Sequence, residues 1–301
     1  MATIEKLTEL IGKTPIMNLK AMHENIYAKL EYRNPLGSVK DRAALYMIRA
    51  AMEHGGVTKD TVIVESTSGN TGIALSFICT SMGMKLVLTM PESMSVERRK
   101  LLAALGAELV LTPVAEGMRG AISKAQEICR ERKGYMTNQF ENPANVQAHK
   151  ETTGPEIWQD MDGNVDILVA GVGSGGTISG AGEYLKSQKP DIKIVAVEPA
   201  ESPVLSGGKP APHKIQGIGA GFVPKILNRD IIDEVVTVSA DQAKQTARQL
   251  GRTEGLLCGI SSGAALCAAV ELAGRPENAG KKIVVVLPDT GERYLSTDLF
   301  D

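Results

Sequence analysis

From residue 61 onward, short β-branched segments alternate with helical patterns, and this alternation constrains the fold of the 301-residue chain most strongly. Alternating strands and helices are typical of β-α-β units around a mainly parallel sheet. The strands are predicted at 61–65, 85–90, 108–111, 166–170, 193–198 and 282–287, and the helices at 43–52, 73–82, 96–105, 120–132, 177–187, 240–250 and 262–272. The Asn- and Pro-containing stretch 138–145 separates two blocks, so the sequence predicts two α/β domains.

Composition and charge exclude several classes of protein. The formal net charge is -2, which does not support a surface for nucleic acid, and the apolar runs are far shorter than the roughly 20 residues that cross a membrane. The charged residues among positions 1–13 do not fit a secretion signal, so we expect a cytoplasmic protein. The four cysteines contain no C-x-x-C pair and the four histidines no ligand pair, so we expect buried reduced thiols and no metal site.

Residues 171–176, here called the glycine turn, read Gly-Val-Gly-Ser-Gly-Gly and lie between a predicted strand and a predicted helix. With Glu198 at the end of the next strand, they satisfy the dinucleotide fingerprint and suggest an NAD-dependent oxidoreductase as one alternative. Glycines let backbone amides approach an anion, and a helix start carries about half a positive charge, so the turn would hold any phosphate. A tight turn without a ligand is the structural alternative.

Two further turns are rich in hydroxyl groups. Residues 67–72, here called the hydroxyl turn, read Thr-Ser-Gly-Asn-Thr-Gly and suit a carboxylate or another anionic group. A well-capped helix would explain the same residues. Residues 258–263 place Ser261 and Ser262 at the start of another predicted helix, and capping explains only one of them.

Lys40 occupies an unusual position, in the first turn of a predicted helix that Ser38 could cap. The helix dipole disfavours a cation there. A partly buried site of this kind lowers the pKa of a lysine and favours the neutral amine that carbonyl chemistry requires. A solvated lysine at a frayed helix start is the alternative that spacing alone leaves open.

Taken together, these segments resemble the cysteine synthase (O-acetylserine sulfhydrylase) family of fold-type II pyridoxal-phosphate enzymes. The resemblance covers nearly the whole chain in order, through residues 34–42, 67–72, 90–92, 97–99, 142–145, 152–156, 173–177, 212–222, 259–263 and 291–294. It implies a tryptophan synthase β-like fold, with mainly parallel twisted sheets and the active site in the cleft between two domains. Residues 41–145 should form a smaller, mobile domain, and residues 1–40 with 146–301 a larger domain that binds the cofactor phosphate.

The resemblance also implies a role for each matched residue. Lys40 should hold pyridoxal 5'-phosphate as a Schiff base and later move the α-proton of the substrate. Asn70 should contact the ring hydroxyl oxygen, and Ser261, rather than its neighbour Ser262, the pyridine nitrogen. The phosphate should be bound by Gly173, Ser174, Gly175, Gly176 and Thr177. The substrate α-carboxylate should be bound by Thr67, Ser68, Thr71 and Gln139.

Two positions depart from the family pattern. Ser66 stands where a proline usually precedes the hydroxyl turn, so the resemblance does not establish how rigid that turn is. Ser174 stands for a usual threonine and keeps the hydroxyl group.

The implied reaction converts O-acetyl-L-serine and sulfide to L-cysteine and acetate through a bound aminoacrylate. Small uncharged residues at 217–222, which the resemblance places at the pocket wall, favour acetate, because Ala220 cannot protonate a poorer leaving group. A cystathionine β-synthase, an O-phosphoserine sulfhydrylase and a cysteine lyase that releases hydrogen sulfide are the related alternatives. The resemblance further implies a homodimer and binding of the C-terminal tail of serine acetyltransferase. A non-catalytic binding protein is disfavoured, because Lys40, Asn70 and Ser261 are all present.

Overall fold

The computed structural model describes residues 3–301, and the chain divides into two compact units. The first unit combines Lys40–Asn145 with the described part of Met1–Ile11. The second unit combines Gly12–Val39 with Val146–Asp301. The mobility expected of residues 41–145 stays a prediction.

Strands and helices are numbered along the chain. The strands are β1 (Ile16–Asn18), β2 (Ile26–Leu30), β3 (Ile63–Ser66), β4 (Leu86–Pro91), β5 (Glu108–Thr112), β6 (Tyr135–Met136), β7 (Ile167–Gly171), β8 (Lys193–Pro199), β9 (Glu234–Val238) and β10 (Ile283–Leu287). The α-helices are α1 (Lys40–His54), α2 (Asn70–Met82), α3 (Val96–Ala104), α4 (Gly117–Glu131), α5 (Pro143–Ala148), α6 (Gly154–Asp160), α7 (Gly176–Gln188), α8 (Ala240–Glu254) and α9 (Ile260–Ala273). A π-helical segment, His149–Thr153, joins α5 to α6.

The sheet of the first unit has four parallel strands in the order β5-β4-β3-β6. One of its faces is covered by α4, which buries Ala125 and Ile128 against Val64 and Val87. From β3 the chain first moves to β4 and β5 on one side and then returns to β6 on the other. The hydroxyl turn therefore lies where the strand order reverses, which is the usual ligand position in open parallel sheets.

The sheet of the second unit has six strands in the order β1-β2-β10-β7-β8-β9, and only β1 is antiparallel to its neighbour. Both of its faces are buried, since Ile167 and Val169 of β7 join one core, whereas Leu168 and Ala170 join the other. Strands buried on both faces are continuously apolar, as β7 and β10 are. From β7 the chain moves to β8 and β9 and returns to β10 on the other side, so the glycine turn also lies at a reversal of strand order.

The α/β fold with mainly parallel sheets agrees with the sequence prediction, and the predicted elements are present with shifted ends. Several helices begin earlier than periodicity indicates, because their first turns consist of glycine, polar or charged residues. Apolar periodicity did not detect β1, β2, β6 or β9. In β2 the reason is Lys29, which is fully buried and whose Nζ lies 2.9 Å from a carboxylate oxygen of Glu156. An ion pair supplied from a distant helix makes a charged residue tolerable inside a strand.

Two expectations concern membranes and cysteines. Among residues 3–301, no helix combines the length and the apolar character needed to cross a membrane. All four cysteines are free thiols, of which Cys79 and Cys258 are buried and Cys129 and Cys267 partly buried. Burial raises the pKa of both buried thiols to about 12, so each stays protonated at neutral pH.

Candidate functional site

The hydroxyl turn collects hydrogen-bond donors at the start of α2. Thr67, Ser68 and Thr71 are 8%, 9% and 4% exposed. The backbone N–H of Gly69 donates to Oγ1 of Thr67 at 3.2 Å, and the hydroxyl of Ser68 donates to Sδ of Met94 at 2.8 Å. Helix α2 begins directly after Gly69, so its first N–H groups have no acceptor within the helix. Such a cluster of donors suits a carboxylate group.

Gln139 reaches the hydroxyl turn from the segment that follows β6. Its Oε1 accepts a hydrogen bond from Oγ1 of Thr71 at 2.6 Å. Its backbone carbonyl accepts one from Nδ2 of Asn145 at 2.9 Å. The first unit therefore brings together the four residues expected to bind a carboxylate, which are Thr67, Ser68, Thr71 and Gln139.

Glu65 lies beside this cluster, although sequence reasoning did not single it out. It is 6% exposed, and its Oε2 accepts a hydrogen bond from Oγ1 of Thr137. Burial raises the pKa of Glu65, and hydrogen bonds from Thr137 and from the backbone N–H groups of Ser66, Asn138 and Gln139 counteract part of that rise. An acidic residue at the end of an apolar strand, directly before a polar turn, was the available sequence signal.

Lys40 is the first residue of α1 and is partly buried. Ser38, the predicted cap, lies two residues before Lys40 and forms a β-bridge with Asp289. Its role as a cap stays a prediction. Helices α1 and α2 pack against each other, and Asn70 is the first residue of α2. Lys40 and Asn70 therefore each begin one of two packed helices in the first unit.

The glycine turn is built so that no side chain could replace two of its glycines. A Cβ atom on Gly173 would lie 2.3 Å from the carbonyl oxygen of Gly217. Gly175 has a φ of +87°, which disfavours other residues. The N–H of Ser179 donates to the carbonyl of Gly175 at 3.0 Å, so the N–H groups of residues 176–178 precede the first i→i-4 bond of α7. Backbone N–H groups without an acceptor inside the helix fit a phosphate group at such a helix start.

Thr177 adds a hydroxyl group to this helix start, and a buried histidine supports it. Its Oγ1 lies 3.2 Å from Nε2 of His149. The other ring nitrogen, Nδ1, lies 2.8 Å from Oγ1 of Thr153 in the π-helical segment. His149 is 1% exposed. Sequence reasoning missed His149, and no local pattern connects it to the glycine turn.

Ser261 is the second residue of α9 and is 3% exposed. A Cβ atom on Gly217 would lie 3.5 Å from Oγ of Ser261. Since Gly217 also contacts Gly173 closely, the second unit brings Ser261 near the glycine turn through this residue. The resemblance had placed Gly217 at a pocket wall, and its φ of +93° explains why a glycine is required.

Glu198, the acidic residue of the dinucleotide fingerprint, accepts three hydrogen bonds from within the protein. It is 2% exposed. Its Oε2 accepts the N–H of Leu205 at 2.7 Å, and its Oε1 accepts both the N–H and the hydroxyl of Ser206, at 2.9 and 2.6 Å. A ribose hydroxyl would need these oxygens as acceptors. The geometry therefore disfavours the NAD alternative.

No group of three or more His, Cys, Asp or Glu side chains within residues 3–301 is arranged to hold a metal ion.

Comparisons with known proteins agree on one family. The model of the family described as "Pyridoxal-phosphate dependent enzyme" matches residues 7–289. A cysteine synthase of Staphylococcus aureus is 52% identical, over 99% of this chain and 97% of that protein. The crystal structure of a cysteine synthase from Entamoeba histolytica superposes with a TM-score of 0.97 at 45% identity, covering 99% of this chain and 91% of that one. An O-acetylserine dependent cystathionine β-synthase from Helicobacter pylori gives a TM-score of 0.91 at 40% identity and covers 100% of both chains.

Proposed function

Because the chain belongs to the family of pyridoxal-phosphate dependent enzymes, we propose that it replaces the acetate group of O-acetyl-L-serine with sulfide, giving L-cysteine and acetate. The full-length match to a cysteine synthase confirms the resemblance and the cofactor class predicted from the sequence. The observation that carries the proposal is the identity of 52% over 99% of the chain, together with the donor cluster around Thr71 and Gln139.

The described residues fit pyridoxal phosphate. The start of α7 offers the backbone N–H groups of residues 176–178 for a phosphate, because the first helical bond runs from Ser179 to Gly175. Gly217, which packs against Gly173, brings Ser261 near this turn. When bound, the cofactor supplies an electron sink that makes the α-proton of an amino acid acidic. The phosphate would be held by Gly173, Ser174, Gly175, Gly176 and Thr177, and the ring by Asn70 and Ser261.

Lys40 has two roles in this proposal. Its Nζ would hold the cofactor before substrate arrives, and would then accept the α-proton as acetate leaves the β-carbon. After HS⁻ has bonded to the β-carbon, the protonated Lys40 would return the proton to the α-carbon. The helix start disfavours a protonated lysine, which helps Lys40 to act as a base. Ser261 supports the same outcome, because its neutral hydroxyl does not keep a proton on the ring nitrogen as an acidic side chain does. Weaker electron withdrawal by the ring favours loss of the β-group over transamination.

The substrate would be oriented through its α-carboxylate. Within this nearly buried cluster, the hydroxyl of Thr67 and the amide of Gln139 would donate to the carboxylate. The hydroxyls of Ser68 and Thr71 would turn from Met94 and Gln139 toward the substrate when it binds. The leaving group needs no acid from the protein, because acetate is stable as an anion. The small residues around Ala220 agree with this requirement.

The first experiment concerns cofactor and product. Purified protein should be yellow, and borohydride treatment followed by peptide mapping should label Lys40. Lys40→Ala should retain the fold and lose the formation of cysteine from O-acetylserine and sulfide. A colourless protein that binds NAD, or a variant that still forms cysteine at a near-normal rate, would overturn the proposal.

A second candidate shares the leaving group and differs in the nucleophile. It is favoured by the similarity to a cystathionine β-synthase that is named as O-acetylserine dependent. Parallel assays with O-acetylserine, O-phosphoserine, serine and cysteine, each combined with sulfide or with homocysteine, separate these reactions. Faster turnover with homocysteine than with sulfide would replace our assignment with this second candidate.

We extend the proposal to two partners that the resemblance implies. The first is a second copy of this chain, which light scattering would detect as twice the mass of one chain. The second is the C-terminal tail of serine acetyltransferase, whose terminal carboxylate suits the donors at the hydroxyl turn. A peptide with that tail should compete with O-acetylserine, and the same peptide with an amidated C-terminus should not.

A further inference from the structure

Pairing between β3 and β6 ends just before the proposed substrate residues begin. Only two pairs connect these strands, Ile63 with Tyr135 and Val64 with Met136. Beyond them the chain turns away, and Asn138 adopts a left-handed conformation with a φ of 47°. Residues 137–139 therefore need hydrogen-bond partners other than a neighbouring strand.

The carboxylate of Glu65 is one of those partners. Its Oε2 accepts the hydroxyl of Thr137, two residues before Gln139. A second donor is the N–H of Ser66, which lies 3.0 Å from Oε1. Thr137 is fully buried, and Glu65 is 6% exposed. A buried carboxylate that accepts the Thr137 hydroxyl fixes the start of the segment that leads to Gln139.

The consequence reaches the side chain of Gln139. Thr71 donates to Oε1 of Gln139, so the amide nitrogen is the end of that side chain able to donate to an anion. Because Glu65 holds Thr137 on one side of Gln139 and Asn145 holds the Gln139 carbonyl on the other, the Gln139 amide faces the hydroxyl turn in one orientation.

We propose that Glu65 is the positioning residue of the α-carboxylate site, which holds residues 137–139 so that the amide of Gln139 faces the substrate together with the hydroxyl turn. This inference rests on the proposed function, since it assigns Gln139 and Thr71 to the substrate. Glu65 itself does not touch the substrate.

Glu65→Gln tests the inference, because it keeps the shape and replaces one acceptor oxygen with a donor that faces other donors. The KM for O-acetylserine should rise about tenfold or more, as for the loss of a hydrogen bond to a charged group. The kcat should change less than about twofold, since carboxylate binding contributes equally to ground state and transition state. The cofactor content should stay at the wild-type level.

A second pair of variants probes the same contact from the other side. Thr137→Val removes the hydroxyl that Glu65 accepts and should also raise the KM, whereas Thr137→Ser should restore it. The matched control is Glu108→Gln, which changes an exposed carboxylate on β5 and should leave both constants unchanged. A structural defect alone would lower the melting temperature and the active fraction without this pattern.

Hydrogen exchange gives a readout that does not depend on turnover. Amides in the peptide around residues 137–142 should exchange faster in Glu65→Gln and Thr137→Val than in wild type or Thr137→Ser. Unchanged exchange, or an unchanged KM in a folded Glu65→Gln enzyme that contains cofactor, would overturn the inference. If wild-type protein does not use O-acetylserine, the proposed function fails, and the dissociation constant of L-serine, followed by cofactor absorbance, replaces KM in the same comparison.

Discussion

The hydroxyl turn and the glycine turn make the same type of connection, from a parallel strand to a helix, but they use different residues. Each leaves the carboxyl end of a parallel strand where the strand order reverses and leads into the start of a helix. In the glycine turn, backbone contacts leave no space for a Cβ on Gly173. In the hydroxyl turn, a Cβ on Gly69 would meet nothing nearer than Oγ1 of Thr67, at 4.0 Å.

This difference shows how one topology can offer two kinds of anion site. A phosphate has several oxygens and can be bound by backbone N–H groups, which requires close approach and hence glycine. A carboxylate is flat and small, and oriented hydroxyl and amide groups can bind it. Such side chains need hydrogen bonds that hold them in the right orientation. Glu65 provides this in the first unit, whereas the backbone N–H groups of the glycine turn need no such partner.

The largest expected effect comes from adding one methyl group to each turn. Gly173→Ala should destabilise the protein by about 1–3 kcal/mol, the usual cost of overpacking, and should lower the cofactor content. Gly69→Ala should change the free energy of unfolding by less than about 1 kcal/mol. Chemical denaturation and cofactor absorbance measure both. Equal tolerance at the two positions would show that the glycine turn does not need its close backbone contact.

The next effect separates the two anions. Thr177→Ala should raise the dissociation constant of pyridoxal phosphate about tenfold, because one hydroxyl donor is lost, and should leave the KM for O-acetylserine nearly unchanged. Thr71→Ala should raise the KM for O-acetylserine about tenfold and leave the dissociation constant of pyridoxal phosphate nearly unchanged. Cofactor titration of the apoprotein and steady-state kinetics distinguish them. If both variants change the same constant, the phosphate and the substrate carboxylate are bound at one site, and the assignment of two separate anion sites is wrong.

A smaller effect is the opposite pH dependence of two carboxylates, Glu65 on β3 and Asp166 directly before β7. Strand β3 leads to the hydroxyl turn and β7 to the glycine turn. Burial raises the pKa of Glu65 above its ordinary value of 4.5. Burial alone would also raise the pKa of Asp166, but hydrogen bonds from the Lys189 side chain and the Lys282 backbone N–H lower it below 3.8. Glu65 thus adds stability that is complete below pH 4.5 and is lost as the pH rises through its raised pKa. Asp166 adds stability that is complete above pH 3.8 and is lost as the pH falls through its lowered pKa.

Unfolding free energies measured across pH test these signs. Relative to wild type, Glu65→Gln should gain stability as the pH rises from 4.5, and the deficit of Asp166→Asn should shrink as the pH falls below 3.8. Profiles that run parallel to wild type in both variants would contradict the assignment.

The smallest effect concerns Ser66, where the family usually has a proline. Its Oγ is buried and has no hydrogen-bond partner within residues 3–301. Ser66→Ala should therefore stabilise the protein by up to about 1 kcal/mol, and it keeps the N–H that Glu65 accepts. Ser76→Ala is the control, because the hydroxyl of Ser76 donates to the carbonyl of Gly72 at 2.7 Å and its loss should destabilise. Destabilisation by Ser66→Ala would show that this hydroxyl is satisfied in solution.

The sequence by itself determined the α/β fold and the sequence position of both turns, and it placed Lys40 in the first turn of a helix. These features depend on patterns within a few residues, such as apolar runs, glycine spacing and hydroxyl-rich turns, and local chemistry is enough to recognise them. The roles carried over from the family added Gln139, which no local pattern marks.

Only the tertiary structure decided which partners these residues have. Thr137 and Glu65 are 72 positions apart, and His149 and Thr177 are 28 apart, so no periodicity connects either pair. The structure also shows that Glu198 is used by Leu205 and Ser206, although its sequence position suggested a ribose ligand. A buried polar group must find its hydrogen bonds wherever packing places a partner, and packing depends on the whole chain.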